Sequence, residues 1–483
     1  MSKRLGSILL LLFLFVDCGQ AQSLAELSSC GLPVLQISTE NGVMPSYDIV
    51  YAPDGCLGVS ITNNDYVPGR MMMTLGSDTL YDSGSYVPDV SGMQIKCRGN
   101  STGAYLAQHP YRLSLVKKAD LLRRNDPSFK HKKWLLMSMY TWNPTMSHAE
   151  SNILNVLGTS LCRIFEKEWV PAYEFVQVVL NGAYQGMYYL IESVDRGQGR
   201  VDMDETGFLI EHDVFWWNED RWFRTDHQRN TYAFTFKYPG KNDITDFYQN
   251  VVHAYMNELE QVLYAGGDIS QFISIPSFAK WILIQDVLGT VDAAGTNRYL
   301  CKYDMDLRSP YSTLLQMGPL WDFDSSFKSD TCSHLHLFQD FYFPWLFKRA
   351  DFVEEYVGQW NKYGPTLMQR LNEEFASVWE KYGETFDKNM ALHRNVYRFE
   401  GLNSLRKQLD EVLKKVEKRV HIVNNMVSDM GYHTAVGSVV SDRRIKEVID
   451  LRGHRYAVND LNGLPSGVYV VVYDNGSRRE VKK

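Results

Sequence analysis

Neither Cys-x-x-Cys nor His-Glu-x-x-His occurs in these 483 residues, and no apolar run beyond the first sixteen residues is long enough to cross a bilayer. The first two absences argue against zinc-finger and common metalloprotease chemistry. The third leaves no transmembrane segment to expect. Positive charge is also short: 50 Lys and Arg against 57 Asp and Glu give a net charge of −7, so no global field draws the chain to nucleic acid or anionic lipid. Nucleic acid is therefore not among the expected partners.

The amino terminus reads Met1-Ser-Lys-Arg4, then apolar Ile8 to Val16, then Gly19-Gln-Ala21, the charged, apolar and small-residue order of a secretory signal. Residues 1–21 are read as that signal, with a mature start near Gln22 and a secreted or cell-surface destination. Cys18 offers lipid anchoring as an alternative, although Asp17 stands where such a signal wants a small residue. Six cysteines remain: Cys30, Cys56, Cys97, Cys162, Cys301 and Cys332. An even number in an exported chain permits disulfides, with Cys30 and Cys56 the nearest pair. The competing reading is that several are small buried hydrophobes in a core large enough to stand without bridges.

What is present is ordinary globular material, 45% hydrophobic and 22% charged, enough for more than one domain. Residues 22–91 are β-rich, with runs such as Leu32 to Ile37 broken by Asn-Gly and Pro-Asp-Gly turns. Residues 92–430 are read as the main domain. Its first part alternates strand patterns at Gly92 to Cys97, Tyr111 to Val116, Tyr173 to Leu180, Ala183 to Ile191, Phe208 to Glu211 and Tyr232 to Tyr238. Asn181-Gly182 is an expected hairpin turn, and Ser147 to Phe165 carries helical spacing. Beyond Pro239 the chain turns helical, at Thr245 to Tyr264, Ser277 to Leu288 and Leu402 to Met430. Residues 439–483 revert to β patterns. The fold class expected is α+β, with a β-rich first half, a helical second half and a small β-sandwich-like end module.

Two loops carry chemistry. Asp292-Ala-Ala-Gly-Thr-Asn297 follows a helix, and Trp321-Asp-Phe-Asp324 lies beyond the next strand, Tyr299 to Tyr303. An Asp and an Asn five apart, with a later Asp, is the order in which protein kinases place a hydroxyl-orienting carboxylate and their metal ligands. Six further segments accompany them: Arg98-Gly-Asn-Ser-Thr102, Pro110-Tyr-Arg112, Lys133-Trp134, Val179 to Glu192, Gly207 to Asp213 and Lys237-Tyr-Pro239. Together, over roughly Leu32 to Met430, the chain resembles the spore-coat CotH kinase-like family of secreted atypical kinases.

That resemblance implies an atypical protein-kinase-like fold that binds ATP with Mg²⁺ or Mn²⁺ and phosphorylates Ser/Thr of a protein substrate, itself included. Asp292 takes the catalytic role, while Asn297, Asp322 and Asp324 supply the oxygen ligands that a hard cation prefers. Arg98, Asn100, Ser101, Thr102, Arg112 and Lys237 are the nucleotide-facing set, with Glu192 or Glu211 orienting one of the cations. Four departures stand out: Gly103 and Gln108-His109 where the family carries Trp and lysines, Ser114 where it tends to have Lys, and His148 where it tends to have Arg. Lys117 or Lys118 could replace the charge missing at Ser114. The alternative function is a non-catalytic surface or adhesion protein that keeps the fold. An aromatic cluster from Phe215 to Phe223 reads as core, or in part as an exposed partner-binding loop. The tail is similar to the type IX secretion sorting modules of Bacteroidetes, with an accessory β domain as the alternative.

Overall fold

A computed structural model describes residues 22–62, 66–139, 153–228, 231–327, 341–397, 404–442, 445–450, 454–456, 464–465, 468–473 and 478–482. The signal-like residues 1–21, together with Cys18, His148 and Cys332, lie outside that set.

After a short helix α1 (Leu24–Ser29), the first half is built on β1 (Val34–Thr39), β2 (Ile49–Tyr51), β3 (Val59–Ile61), β4 (Val67–Leu75), β5 (Asp78–Asp82) and β6 (Met93–Cys97). Helix α2 (Ser101–Tyr105) follows, then β7 (Tyr111–Ala119), β8 (His131–Ser138), α3 (Ile153–Ile164), β9 (Tyr173–Leu180) and β10 (Ala183–Glu192). Eight of these strands form one sheet in the order β1-β9-β10-β8-β7-β6-β4-β5, and β4 also pairs with β1. That last pairing closes the sheet into a barrel. Alternation then decides what goes inside: Met71, Ile95, Leu113, Trp134, Val178 and Tyr188, one from each of six strands, share a buried cluster with Ile37 of β1. The opening strands β1 and β4 and the later β6 to β10 are thus one sheet, and positions 91 and 92 lie in the connection between two of its strands, β5 and β6.

The strand patterns read from sequence fall close to these limits, and the hairpin turn has its physical cause on view. Asn181 and Gly182 both take positive φ, 50° and 82°, as a tight two-residue turn requires. The Asn181 side chain also ties the turn to β1, donating to Thr39 Oγ1 at 2.9 Å and accepting from Thr39 N–H at 2.9 Å.

A second, five-stranded sheet has the order β12-β13-β11-β14-β15, formed by β11 (Phe208–Asp213), β12 (Trp222–Phe223), β13 (Ala233–Tyr238), β14 (Arg298–Lys302) and β15 (Leu315–Met317). Around it lie α4 (Asp246–Tyr264), α5 (Ile275–Leu288), α6 (Phe343–Leu346), α7 (Ala350–Tyr363), α8 (Leu367–Val396) and α9 (Leu405–Asp442). Thr245 and Ser274 cap α4 and α5, each accepting from a backbone N–H of the first turn. Gly289, at φ 57°, ends α5. A side chain there would press on Arg419 of α9, whose Nε donates to the Asp286 carbonyl at 3.0 Å. One large core joins the helices to the outer face of β8, β9 and β10 through Leu135, Phe175 and Tyr189. The molecule is therefore mixed α+β, β-rich first and helical later. Among the described residues of the tail, β16 (Ile445–Asp450), β17 (Arg455–Tyr456), β18 (Val468–Tyr473) and β19 (Arg478–Lys482) form a single antiparallel sheet. No helix among the described residues is long and apolar enough to cross a membrane.

Cys30, Cys56, Cys97, Cys162 and Cys301 are free thiols, so the Cys30–Cys56 bridge that the sequence permits is not formed. Cys97 and Cys162 are buried, as the small-hydrophobe reading holds.

Helix α8 is held to the barrel by a neutral imidazole. His393 Nδ1 accepts from Met187 N–H at 3.0 Å, over Gly186 at φ 89°. Burial lowers its pKa to about 3, while an unfolded His titrates near ~6.5. Below that value the unfolded chain takes up a proton the folded chain refuses, so this contribution is complete above the unfolded pKa and is lost as pH falls toward 3. Burial likewise holds His131 down, to about 4. His393→Gln should therefore show a shallower fall in melting temperature between pH 7 and pH 4.5 than the parent. Equal slopes would contradict this reading.

Candidate functional site

Lys237 occupies a bulge: Leu209 and Ile210 of β11 oppose Tyr238 and Phe236 of β13, leaving Lys237 as the extra residue. Its Nζ lies 3.1 Å from Glu211 Oε2, 3.9 Å from Asp213 Oδ2 and 2.9 Å from Glu219 Oε1. Burial alone would lower its pKa, but the charges of Glu219, Glu211 and Asp213 hold it well above the usual lysine range. The reverse holds at Asp213, where burial and then the Glu211 charge push the carboxyl up to about 8 against the pull of Lys237.

Glu211 connects this cation to the first sequence motif. Its Oε1 accepts from Asn297 N–H at 2.8 Å, and Thr296 Oγ1 is 3.4 Å away. The Asp292 to Asn297 loop is held from two other sides. Val214 N–H donates to the Gly295 carbonyl at 2.9 Å, and Asp292 N–H donates to Ser325 Oγ at 3.2 Å. Ser325, itself 2.5 Å from Thr290 Oγ1, belongs to the turn that follows Trp321-Asp-Phe-Asp324. The two motif loops are thus laced together by one serine. Asn297 and Asp322 both sit at positive φ, 57° and 60°, a conformation that Asn and Asp tolerate better than other side chains.

The barrel supplies the opposing wall. Arg98, just past β6, is lowered to about 10 by burial and then by the charge of Arg112, while Asp322, Tyr299 and Glu211 pull it back up. Those neighbours put it within the field of Arg112 on β7, Asp322 on one motif loop, and Glu211 and Tyr299 on the second sheet. Its Nη1 also reaches the Met137 sulfur at 2.8 Å. Arg98, Arg112, Lys237, Glu211, Asn297 and Asp322 are therefore assembled, although they span 225 positions of sequence from 98 to 322.

Other expected residues are placed differently. Glu192 is fully buried and serves Arg124 at 2.5 Å and Arg200 at 3.9 Å, so of the two glutamates considered it is Glu211 that reaches Lys237. Asn100 Oδ1 accepts from Ser60 Oγ at 2.8 Å, a hydroxyl that also receives Asn218 Nδ2 at 2.8 Å. Gly99, at φ 101°, has room for no side chain because Thr102 Oγ1 would lie 2.6 Å from a Cβ. Thr102 thus turns its hydroxyl back over its own loop, while Ser101 is exposed. Gly99-Asn100-Ser101-Thr102-Gly103 also spells Gly-x-Ser-x-Gly, the letters of a hydrolase nucleophile elbow. Here the preceding strand, β6, pairs antiparallel with both its neighbours, β4 and β7, and among the described residues no histidine is hydrogen-bonded to Ser101. Gln108 is structural, donating to the Met187 carbonyl at 2.8 Å and accepting from Met139 N–H at 2.8 Å. Asp322 is among the neighbours that set the charge state of Arg98.

Asp213, Glu219, Tyr299 and Ser325 went unread in the sequence. Glu211 and Asp213 were recoverable, since residues two apart on a strand share a face. Ser325 and Tyr299 carry no comparable signal. Within the aromatic cluster, Trp216 and Trp222 flank the Arg224 guanidinium at 3.9 and 5.0 Å.

Residues 95–433 match the family described as CotH kinase protein. The chain belongs to the CotH kinase family. The matched stretch contains every member of the assembled cluster, from Arg98 to Asp322, so family and geometry point to the same place. No curated protein matches the chain.

For a divalent metal the donor chemistry fits, because Asp322 and Asn297 offer a carboxylate and an amide oxygen. Among the described residues no group of three His, Cys, Asp or Glu side chains is arranged as a cage. Mg²⁺ in nucleotide sites typically leans on one or two carboxylates and takes its remaining ligands from phosphate and water, so two protein donors are consistent with that use.

Proposed function

We propose that this CotH-family protein is an exported kinase that transfers the γ-phosphate of ATP to a Ser/Thr hydroxyl of a protein, its own chain included. The observation that carries the reading is the meeting of opposite walls: Arg98 and Arg112 from the barrel stand against Glu211 and Lys237 from the second sheet and Asp322 from the loop that follows it. Phosphoryl transfer asks for that arrangement, since the work is charge neutralisation and alignment of donor and acceptor. The secretion-like residues 1–21 and the β-patterned tail 439–483 support export.

Asp322 and Asn297, with Asp324 close in sequence, would hold Mg²⁺ or Mn²⁺, which when bound neutralises phosphate charge. Arg98 and Arg112 face the phosphate oxygens. Asp292 orients the acceptor hydroxyl and takes its proton as the new P–O bond forms and the bond to ADP breaks. Glu211 keeps Lys237 charged and aimed while fixing the Asn297 backbone, so the cation and the metal-side loop move as a unit.

Incubating the purified protein with γ-labelled ATP and Mn²⁺, alone and with a generic protein acceptor, tests the reading. Label is expected on the protein or the acceptor, stable to base-free denaturation and absent without metal. No label, together with no nucleotide-dependent thermal shift, would defeat it in favour of a protein that keeps the fold without the reaction.

A further inference from the structure

One small hairpin touches both the barrel and the second sheet yet belongs to neither. Among the described residues β2 and β3 pair only with each other, as a separate two-stranded sheet. Such a hairpin is marginal by itself, so what it packs against fixes its place. β2 is exposed at Ile49 and Tyr51, whereas all three residues of β3 are buried. The hairpin also lies outside residues 95–433, the stretch that matches the family.

The segment from Phe215 to Glu219 grips it from the side of the second sheet. The Phe215 ring fills the space over Gly58, where a Cβ would lie 2.5 Å from the ring. Trp217 Nε1 donates to the Leu57 carbonyl at 3.1 Å, and Asn218 Nδ2 donates to Ser60 Oγ at 2.8 Å and to the Ile61 carbonyl at 3.2 Å. Both ends of the segment lead to the Lys237 cluster. Phe215 N–H donates to Asp213 Oδ1 at 2.8 Å, and Glu219 Oε1 is 2.9 Å from Lys237 Nζ. The hairpin in turn holds the barrel's loop. Ser60 Oγ donates its hydrogen to Asn100 Oδ1 at 2.8 Å, and Ile61 Cδ1 would lie 3.1 Å from a Cβ at Gly103. Asn100 stands two residues from Arg98. A hydroxyl has one hydrogen and two lone pairs, so Ser60, 1% exposed, serves the barrel loop as donor and the second sheet as acceptor at the same time.

We propose that this hairpin is a clasp that fixes the Arg98 to Thr102 loop relative to the Lys237 cluster, with Ser60 and Asn218 as positioning residues for phosphoryl transfer. The inference rests on the kinase reading above and adds to it a part from outside the family stretch. Each of the two side chains acts through the segment it holds. A shift of ~1 Å in such a segment is enough to misalign reacting groups and slow a reaction by an order of magnitude or more.

Peptide-level hydrogen exchange and steady-state transfer of label from Mn·ATP are measured on the purified parent, Ser60→Ala, Asn218→Ala and the double variant. Asn218→Ala alters no residue between 98 and 105, yet exchange there is expected to rise about fivefold or more, while exchange in α8 stays as in the parent. In each single variant kcat should fall about tenfold with KM for Mn·ATP within about twofold of the parent, because the Arg98 charge remains and only its alignment is lost. The double variant should be no slower than the slower single one, since both substitutions remove the same link. Unchanged exchange at 98–105 in Asn218→Ala overturns the clasp, and so does a rise that extends equally to α8, which would report a loosened fold. Unchanged kcat in both single variants overturns the positioning role, and additive losses in the double variant overturn the shared hydroxyl. A parent that transfers no label defeats the kinase reading, and the exchange measurement still decides whether the clasp exists.

Discussion

Asp292→Ala is expected to slow phosphate transfer by roughly 10²–10⁴-fold, the range for losing a positioned general base, while leaving Mn·ATP affinity near that of the parent. The reasoning is positional. Asp292 is anchored by its backbone, through Ser325 and Thr296, so removing its carboxylate leaves those two hydrogen bonds in place. Arg98, Asp322 and Lys237, which the proposed function assigns to the donor nucleotide, are untouched. Single-turnover transfer alongside equilibrium binding separates the two quantities. A variant that loses binding and transfer together would place Asp292 on the metal side instead.

The largest expected change in stability is at Lys237. Replacing it with Met leaves Glu211 and Asp213 buried without their cation, and breaking such a pair from one side costs about 3 kcal/mol or more. Glu219 is more exposed, at 40%, and gains solvent in compensation, which keeps the figure at the low end. Denaturant unfolding of Lys237→Met should show that loss, and Lys237→Met/Glu211→Gln should recover part of it by removing one stranded charge. If the single variant is as stable as the parent, the cluster is solvated and the argument for a preorganised wall fails. Burial and the Glu211 charge push the Asp213 carboxyl up, so it contributes less to the penalty than Glu211.

Much of the fold was legible because it is written in local pattern. Tyr173 to Leu180 alternates as a strand and is one; Thr245 caps the helix that its spacing announces; Asn181-Gly182 turns where only such residues turn easily. Closure of the barrel was not legible, since β4 meets β1 with partners such as Val34 and Thr74 far apart in sequence, and no local pattern encodes that pairing. The site divides in the same way. Asp292, Asn297 and Asp322 stand out as candidates by spacing, because the proposed chemistry needs those residue types in that order. The partner of Lys237 could not be chosen between Glu192 and Glu211, both strand glutamates; Arg124 and Arg200, brought in by separate segments, claim the first.

These outcomes turn on one claim, that the barrel's arginines and the acidic loops enclose a metal-dependent nucleotide cleft. Calorimetric titration of ATP into the purified parent and into Asp322→Ala, each with and without Mn²⁺, tests it most directly. The parent should bind ATP at least tenfold more tightly with Mn²⁺ present, and Asp322→Ala should lose that difference while keeping its fold. Binding that is equal with and without metal in the parent, or a metal effect that survives in Asp322→Ala, would contradict the account.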